Sequence, residues 1–449
     1  MVAAGSAGGL YCLKSFADLG RALNLTNLCR LFALLLVAWQ PFPGEYRVPL
    51  VGSALLGLAL TWRGEWRAVA EPAKRLGLLL LCLLIPGLLS IPTSLAPGKS
   101  WAEIASVVLV GLAGLSVLYG LRRQQDHCWL QTGLVIVIAA WIGDGLLQAL
   151  TGADIFGITP KAEGMINGPF TTNGMFGIIV AALAPLVLWE PLKQRQRWAI
   201  TLLSGIVITV ILSGQRNNLL LLAIGLIALS TLWSRRTRLI GLAILVATVV
   251  AVYPFAPTLQ QRSNWMISSS SEMVASLQEL RENPSDTKSS KRLFDSLNRF
   301  TSDRAFLVDA GLKMIHDRPL TGVGINAFRP AYPLYAQLTP HGHRDKPNHA
   351  HNIYLELTAE TGLIGLGGLL VAIALGWRWF ALACHERQRM AAPYAATLLV
   401  MLFPLTTHTV LFAAFYFCLL IMVLGGFLAA LFSPEAISST SQLPPLRLQ

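Results

Sequence analysis

Charged residues are scarce in this chain of 449 amino acids: Asp, Glu, Lys and Arg together make up 13% of it, about half the share usual in a soluble domain. Hydrophobic residues make up 54%, and the mean hydropathy is +0.57. A water-soluble globule of this size cannot bury so much apolar side chain. The composition therefore excludes a soluble enzyme, a nucleic-acid-binding protein and a disordered protein.

Cysteine is also scarce. The six cysteines are scattered, none forms a CxxC pair, and none lies in the long polar segment 255–350. This pattern argues against a disulfide framework and against a zinc cluster. The first 24 residues lack the pattern of a cleaved signal peptide, so we expect the first apolar segment to be an uncleaved anchor.

What the chain has in abundance is apolar segments about as long as a bilayer-spanning helix, roughly 20 residues. With the N-terminus in the cytoplasm, 19 of the 35 Lys and Arg fall in cytoplasmic segments, 4 in short outer loops and 12 in the long loop. The short loops thus follow the positive-inside rule. We predict an all-α polytopic membrane protein with both termini in the cytoplasm and about twelve transmembrane helices: residues 25–40, 48–62, 73–92, 101–121, 130–150, 168–189, 198–213, 217–233, 239–254, 361–380, 392–408 and 409–432.

This pattern divides the chain into four parts. Residues 1–254 hold the first nine helices, and residues 255–350 form one large outer loop domain. Residues 351–432 hold the last three helices, preceded by a helical extension on the outer side. Residues 433–449 form a cytoplasmic tail.

The apolar stretch 198–233 contains a single charged residue, Arg216. Basic clusters flank this stretch on both sides, so it must cross the membrane twice and turn at 213–218. An arginine at the outer membrane face is costly unless a partner or an anionic ligand compensates its charge. Arg216 is therefore either a turn residue that reaches the interface or an anion-binding residue.

The outer loop predicts mostly helical structure. An amphipathic helix over 271–282 precedes a flexible turn at 283–290, and a further helix covers about 304–316 with a capping residue at 302–303. Arg304 falls on the apolar side of that helix, so a binding role and an ordinary solvated arginine both remain open.

The loop ends in a glycine motif and a histidine cluster. Gly322-Val323-Gly324 lacks the third glycine of a dinucleotide-binding fingerprint, so we predict a tight turn that lets loop and membrane helices approach closely. Four of the eight histidines lie within 341–351. Zinc is disfavoured because the lone nearby carboxylate, Asp345, stands between two basic residues. We therefore predict no metal and no cofactor.

His351 fits a general base that needs no metal. It precedes a helix that starts at Asn352 and is expected to run straight into the next span, and Glu356 and Glu360 share one side of that helix. Two arginines suit a diphosphate, and a base suits a hydroxyl nucleophile. Because the outer side holds no nucleotide pool, the donor must already be activated, as a lipid-linked diphosphate is.

Four sequence runs resemble the O-antigen ligase/polymerase superfamily of bacterial membrane glycosyltransferases over about 165–370. They are DRPLTGVGINAF (317–328), HAHNIYLELTAETGLIG (349–365), SGQRNN (213–218) and, loosely, NGPFTTNGMFG (167–177). In the last run TTN replaces the usual Asn-Pro-Asn, so we assign it no catalytic role.

The resemblance implies a GT-C-like fold and an inverting, metal-independent transfer from an undecaprenyl-diphosphate-linked glycan at the periplasmic face of the inner membrane. His351 matches the family's catalytic histidine, and Arg216 and Arg304 match its diphosphate-binding arginines. The substrate-binding residues that it implies are Arg216, Arg304, His349, Asn352 and Glu360.

Within the superfamily, a compact chain with one dominant outer loop favours the ligase, which joins O-antigen to lipid A-core. The O-antigen polymerase and a protein O-oligosaccharyltransferase remain alternatives. A secondary transporter is the alternative from another class, but its two halves usually resemble each other and these halves do not. Besides donor and acceptor, we expect membrane lipids and no nucleic acid as partners.

Overall fold

The structure is a computed structural model that describes residues 24–42, 44–160, 165–171, 173–194, 196–301, 304–336, 349–405 and 411–436. Within these ranges the chain forms α-helices, short 3₁₀ turns and connections, and no strand. The helices in chain order are α1 (Leu25–Ala38), α2 (Arg47–Trp62), α3 (Ala70–Ser90), α4 (Pro97–Gly120), α5 (Gln124–Thr151), α6 (Asn173–Lys193), α7 (Trp198–Leu212), α8 (Arg216–Ser230), α9 (Arg235–Val252), α10 (Pro257–Glu282), α11 (Thr287–Phe300), α12 (Ala305–Asp317), α13 (Phe328–Ala336), α14 (Ile353–Leu382), α15 (His385–Met401) and α16 (Ala414–Phe432).

Seven of the described helices are long and apolar enough to cross a membrane: α3 to α6, α9, α14 and α16. Helices α1, α2, α7 and α8 are apolar but shorter. The chain is thus an all-helical, multi-pass membrane protein, as predicted. The count of twelve spans and the periplasmic side of the loop stay predictions.

Helices α6 and α16 form the centre of the bundle, because side chains on all of their faces are buried. Helix α6 packs against α7, α8 and α15, whereas α16 packs against α15 and α4. Helix α9 is equally apolar but exposes most of its side chains. A helix that is apolar all round lies in a core or faces lipid, so α9 is a peripheral, lipid-facing helix.

The predicted tight turn between α7 and α8 is confirmed. Helix α7 ends before Ser213, and Gly214 takes a left-handed conformation with φ +69°. Arg216 is the first residue of α8. The turn therefore presents an arginine at the N-terminal end of an apolar helix.

Helix α14 is not straight, and the prediction that it runs directly into the membrane span is wrong. Gly362 adopts φ 66° and ψ −167° inside it. The hydroxyl of Tyr354 donates to the carbonyl of Leu402, 2.6 Å away, at the end of α15. At 1.5 Å per residue, a straight α14 would carry Tyr354 about 42 Å from the helix end, whereas α15 spans only about 26 Å. Residues 353–361 therefore turn back towards the end of α15.

The glycine motif occupies the inner side of this kink, which confirms the predicted close approach. Gly322 and Gly324 both have positive φ. The N–H of Gly324 donates to the carbonyl of Glu360 over 2.9 Å, and Val323 accepts a hydrogen bond from Leu95 in the turn between α3 and α4. A side chain at Gly322 would meet the backbone of α14. The motif thus anchors the loop to two membrane helices.

The long segment after α9 differs from the prediction in the helices α10 and α11. Helix α10 is much longer than the predicted 271–282, and α11 replaces the second half of the flexible turn predicted at 283–290. Asp286 caps α11 by accepting hydrogen bonds from the N–H groups of the first helical turn. Helix α12 forms as predicted, with Arg304 at its N-cap position, and the predicted cap at 302–303 lies outside the described residues.

Candidate functional site

Arg216 lies at the N-terminal end of α8 and is half-buried. Its Nη2 donates to the carbonyl of Phe300, the last residue of α11, over 3.4 Å. The C-terminal carbonyls of a helix carry partial negative charge. The carbonyl oxygens at the C-terminal end of α11 therefore attract a guanidinium group.

Arg304 uses the next carbonyl of the same helix end. Its Nη1 donates to the carbonyl of Thr301 over 3.2 Å, and its side chain is also half-buried. The adjacent carbonyls of Phe300 and Thr301 thus hold the guanidinium groups of Arg216 and Arg304. Two arginines that are far apart in sequence meet at one point.

A third arginine, Arg262 of α10, was missed by the sequence analysis. Its Nη1 donates to the carbonyl of Gly214 over 3.0 Å, in the same turn that carries Arg216. The two guanidinium groups are close enough to repel each other, and burial lowers the pKa of Arg262. The sequence around Arg262 gives no local signal of this role, because the contact with Gly214 joins segments 48 residues apart.

His351 stands in a tight turn immediately before α14. Its φ is +58°, in the left-handed region that residues with a side chain rarely adopt. Its backbone N–H donates to Nδ1 of His349 over 3.2 Å, and the centroids of the two imidazole rings are 4.0 Å apart. The two histidines therefore form one compact unit.

Asn352 fixes the other side of this turn. Its Oδ1 accepts from the N–H of Leu355 over 3.0 Å as the helix cap, while its Nδ2 donates to the carbonyl of Pro404 over 2.7 Å. The chain's own side chains thus occupy amides at the start of α14.

The two glutamates of α14 are buried and accept hydrogen bonds from different segments. An Oε2 of Glu356 accepts from the N–H of Ala350 over 2.8 Å. An Oε1 of Glu360 accepts from the N–H of Phe328 over 3.0 Å and so caps α13. Glu356 thus bonds the histidine turn, whereas Glu360 bonds the segment that leads into α13. The predicted substrate-binding role of Glu360 stays a prediction.

Helix packing places Arg304 and His351 at the same end of a helix pair. Gly311 of α12 lies against the side chain of Leu355 of α14, and the two helices advance in the same direction, since the N–H of residue 363 donates to the carbonyl of residue 319. Both Arg304 and His351 precede the contact by one to two turns. They therefore lie on the same side of the molecule.

A second contact relates the histidine turn to Arg216. Gly225 of α8 lies against Val400 of α15, and α15 ends in the loop whose Pro404 carbonyl bonds Asn352. Arg216 also lies beside Arg304, because the adjacent carbonyls of Phe300 and Thr301 accept hydrogen bonds from the two guanidinium groups. The three arginines and the histidine pair consequently share one face.

A metal site is not formed by the described part of the chain, where no three His, Cys, Asp or Glu side chains are grouped suitably. Residues 341–348, including two of the clustered histidines and Asp345, lie outside the described residues, so the metal-free site stays a prediction. A separate cleft of about 780 Å³ borders α12 near Leu95, His316 and Tyr335. It contains none of the predicted site residues.

The arrangement suits chemistry on an anionic group next to a hydroxyl. Guanidinium groups bind phosphate oxygens through paired N–H donors, and an imidazole accepts a proton near neutral pH. Three arginines can bind a diphosphate, and a histidine on the same side of the molecule can act as a base.

Residues 199–370 match the family model described as O-Antigen ligase. The matched stretch runs from α7 to the middle of α14. A comparison with curated proteins finds no match for the chain. The matched stretch contains all of the candidate site residues: Arg216, Arg262, Arg304, His349, His351, Asn352, Glu356 and Glu360.

Proposed function

Because residues 199–370 belong to the O-antigen ligase family, we propose that this chain transfers O-antigen polysaccharide from undecaprenyl diphosphate to lipid A-core at the periplasmic face of the inner membrane. Members of the family are membrane glycosyltransferase-like enzymes. The observation that carries the proposal is the grouping of Arg216 and Arg304 at the end of α11, on the face that presents His351.

In the proposed reaction, His351 removes the proton from a hydroxyl of the acceptor sugar as that oxygen attacks the anomeric carbon of the donor. A new carbon–oxygen bond forms while the bond from the anomeric carbon to the diphosphate breaks. The attack comes from the face opposite the leaving group, so the configuration inverts. The proton ends on the imidazole, and the electron pair leaves with undecaprenyl diphosphate.

The arginines supply the electrostatic part of this mechanism. Negative charge grows on the diphosphate as the glycosidic bond breaks, and fixed cations stabilise that charge more in the transition state than in the ground state. Arg216 and Arg262 approach from α8 and α10, and Arg304 approaches from the start of α12. We propose that these three groups take the place that a divalent metal has in other diphosphate-cleaving enzymes.

The test is a lipopolysaccharide gel of a deletion strain complemented with wild type, with His351→Ala, or with His316→Ala as a control. His316 is an exposed histidine on α12, outside the proposed site. We expect His316→Ala to restore the O-antigen ladder, and His351→Ala to leave bare core while polymerised glycan accumulates on its lipid carrier.

The other outcomes separate the alternatives. Core capped by a single repeat would indicate a polymerase. An unchanged gel in the deletion strain would remove the ligase and leave protein glycosylation or transport. A normal ladder with His351→Ala would eliminate this histidine as the sole base.

A further inference from the structure

We propose that Glu356 and His349 are positioning residues that form a two-point clamp on the backbone of Ala350 and His351. The clamp holds the base in its left-handed conformation and so sets the direction of its imidazole. The inference rests on the proposed function, because it assigns the task of residues that do not themselves exchange a proton with the acceptor.

The conformation of His351 requires such a clamp. Among the described residues, only Asn326 and His351 combine a side chain with a positive φ. A residue with a Cβ stays in this region when its surroundings fix it there, and such residues occur preferentially at functional sites. If the turn relaxed, the direction of the His351 imidazole would no longer be fixed.

The first point of the clamp is Glu356. Its carboxyl oxygen accepts the N–H of Ala350 over 2.8 Å, and its side chain is only 6% exposed. Because Glu356 lies in the first turn of α14, its position is set by the helix and not by the turn. The hydrogen bond thus fixes Ala350, the residue just before His351, relative to the helix.

The second point is His349. Its Nδ1 accepts the N–H of His351 over 3.2 Å, and a ring nitrogen that accepts a hydrogen bond carries no proton. The proton of neutral His349 is therefore on Nε2. An acceptor that bonds the N–H two residues ahead is what Asn and Asp provide in Asx turns. His349 does the same with an imidazole.

This geometry assigns different roles to the two histidines, whose ring centroids are 4.0 Å apart. His349 uses Nδ1 to stabilise the turn, whereas His351 supplies the base. A direct catalytic role for His349 would instead depend on its Nε2–H. The two roles can be separated, because a side chain without an imidazole can replace the first and not the second.

The experiment compares paired substitutions in the purified full chain. His349→Asn and Glu356→Gln keep an acceptor oxygen for each amide, whereas His349→Ala and Glu356→Leu remove it. We expect the acceptor-deficient variants to lose kcat by about 10- to 100-fold, as a displaced catalytic group does, with the KM for the donor unchanged. Each acceptor-retaining variant should recover most of the kcat that its acceptor-deficient partner loses.

Each opposite outcome overturns the clamp. If His349→Asn is as inactive as His349→Ala, the imidazole of His349 acts directly. If Glu356→Gln is as inactive as Glu356→Leu, the carboxylate charge matters and the hydrogen bond to Ala350 does not. Full activity of His349→Ala or Glu356→Leu would show that the turn needs no clamp.

A second measurement keeps the clamp separate from the proposed function. The rate at which diethyl pyrocarbonate modifies His351 is followed by mass spectrometry in the same variants, without any substrate. Release of the turn should raise this rate in His349→Ala and Glu356→Leu only. Equal rates in all variants would refute the clamp, whereas an inactive wild type with the expected rates would refute only the proposed transferase.

Discussion

Three guanidinium groups lie near the start of α8 and the last carbonyls of α11. Like charges that are close together and partly buried raise the energy of the folded protein. Carbonyls of Gly214, Phe300 and Thr301 offset part of this cost. A diphosphate offsets more of it, because each of its oxygens can accept charge-assisted hydrogen bonds. At the scale of single residues, the cluster therefore favours an anionic ligand, as the proposed function requires.

Arg262 provides the sharpest residue-level prediction. We expect Arg262→Gln to weaken the binding of undecaprenyl diphosphate about 10- to 100-fold, because a hydrogen bond to a charged group contributes about 1.5–3 kcal/mol. Binding of the lipid to purified protein is the measurement. Arg281→Gln is the matched control, since Arg281 is an exposed arginine at the other end of the same helix. Equal affinity in both variants would exclude Arg262 from the diphosphate site.

Arg216 and Arg304 could be recognised from the sequence, whereas Arg262 could not, and the reason is physical. Arg216 is conspicuous because it is the one charge in a long apolar stretch, and Arg304 because it begins an amphipathic helix. Arg262 lies in a polar segment, where nothing local distinguishes it from solvated neighbours. Its relevance comes from the contact between α10 and Gly214, which joins segments 48 residues apart.

At the scale of elements, the apolar segments were predictable because a membrane helix must satisfy its own backbone and expose apolar side chains. The predicted and observed helices accordingly overlap throughout. Helix α11 was hidden by its polar composition, although Leu293, Phe294 and Leu297 follow helical spacing. The kink in α14 could not be predicted, since glycine inside a helix is compatible with a straight or a broken backbone.

The kink itself can be tested with two glycines of the same helix. A Cβ at Gly362 would collide with the backbone of Leu320, and its φ of 66° disfavours any side chain, whereas Gly367 has open space around it. We expect Gly362→Ala to lower the midpoint of thermal unfolding, since the left-handed conformation alone costs about 1–2 kcal/mol. Gly367→Ala should leave the midpoint unchanged or raise it slightly, because replacing glycine by alanine inside a helix adds up to about 1 kcal/mol to the free energy of unfolding.

The readout for this pair is thermal unfolding in detergent together with transferase activity. Gly362→Ala should also reduce activity, because residues 353–361 carry the histidine turn towards α15. Identical unfolding midpoints for the two variants would mean that the kink is not required by the fold.

At the scale of the whole molecule, the proposed site draws on the α7–α8 turn, helices α10 to α12 and the start of α14, and its arginines would neutralise the diphosphate without a metal. We expect transferase activity to survive EDTA in purified protein, because arginines are not removed by a chelator. The control is a metal-dependent glycosyltransferase treated in parallel. Loss of activity that returns on adding a divalent metal would restore the histidine cluster as a metal site.

The topology of the whole chain can be tested by labelling single cysteines with a membrane-impermeant maleimide. Ser285 is exposed in the turn between α10 and α11, and Ser234 is exposed between α8 and α9. Removing the exposed Cys384 lowers the background. Because the basic cluster at 235–238 should stay in the cytoplasm, Ser285→Cys should react in intact spheroplasts, and Ser234→Cys only after permeabilisation. The reverse pattern would place the arginines and His351 on the cytoplasmic side, where a nucleotide-activated donor is available, and would remove the reason for a lipid-linked one.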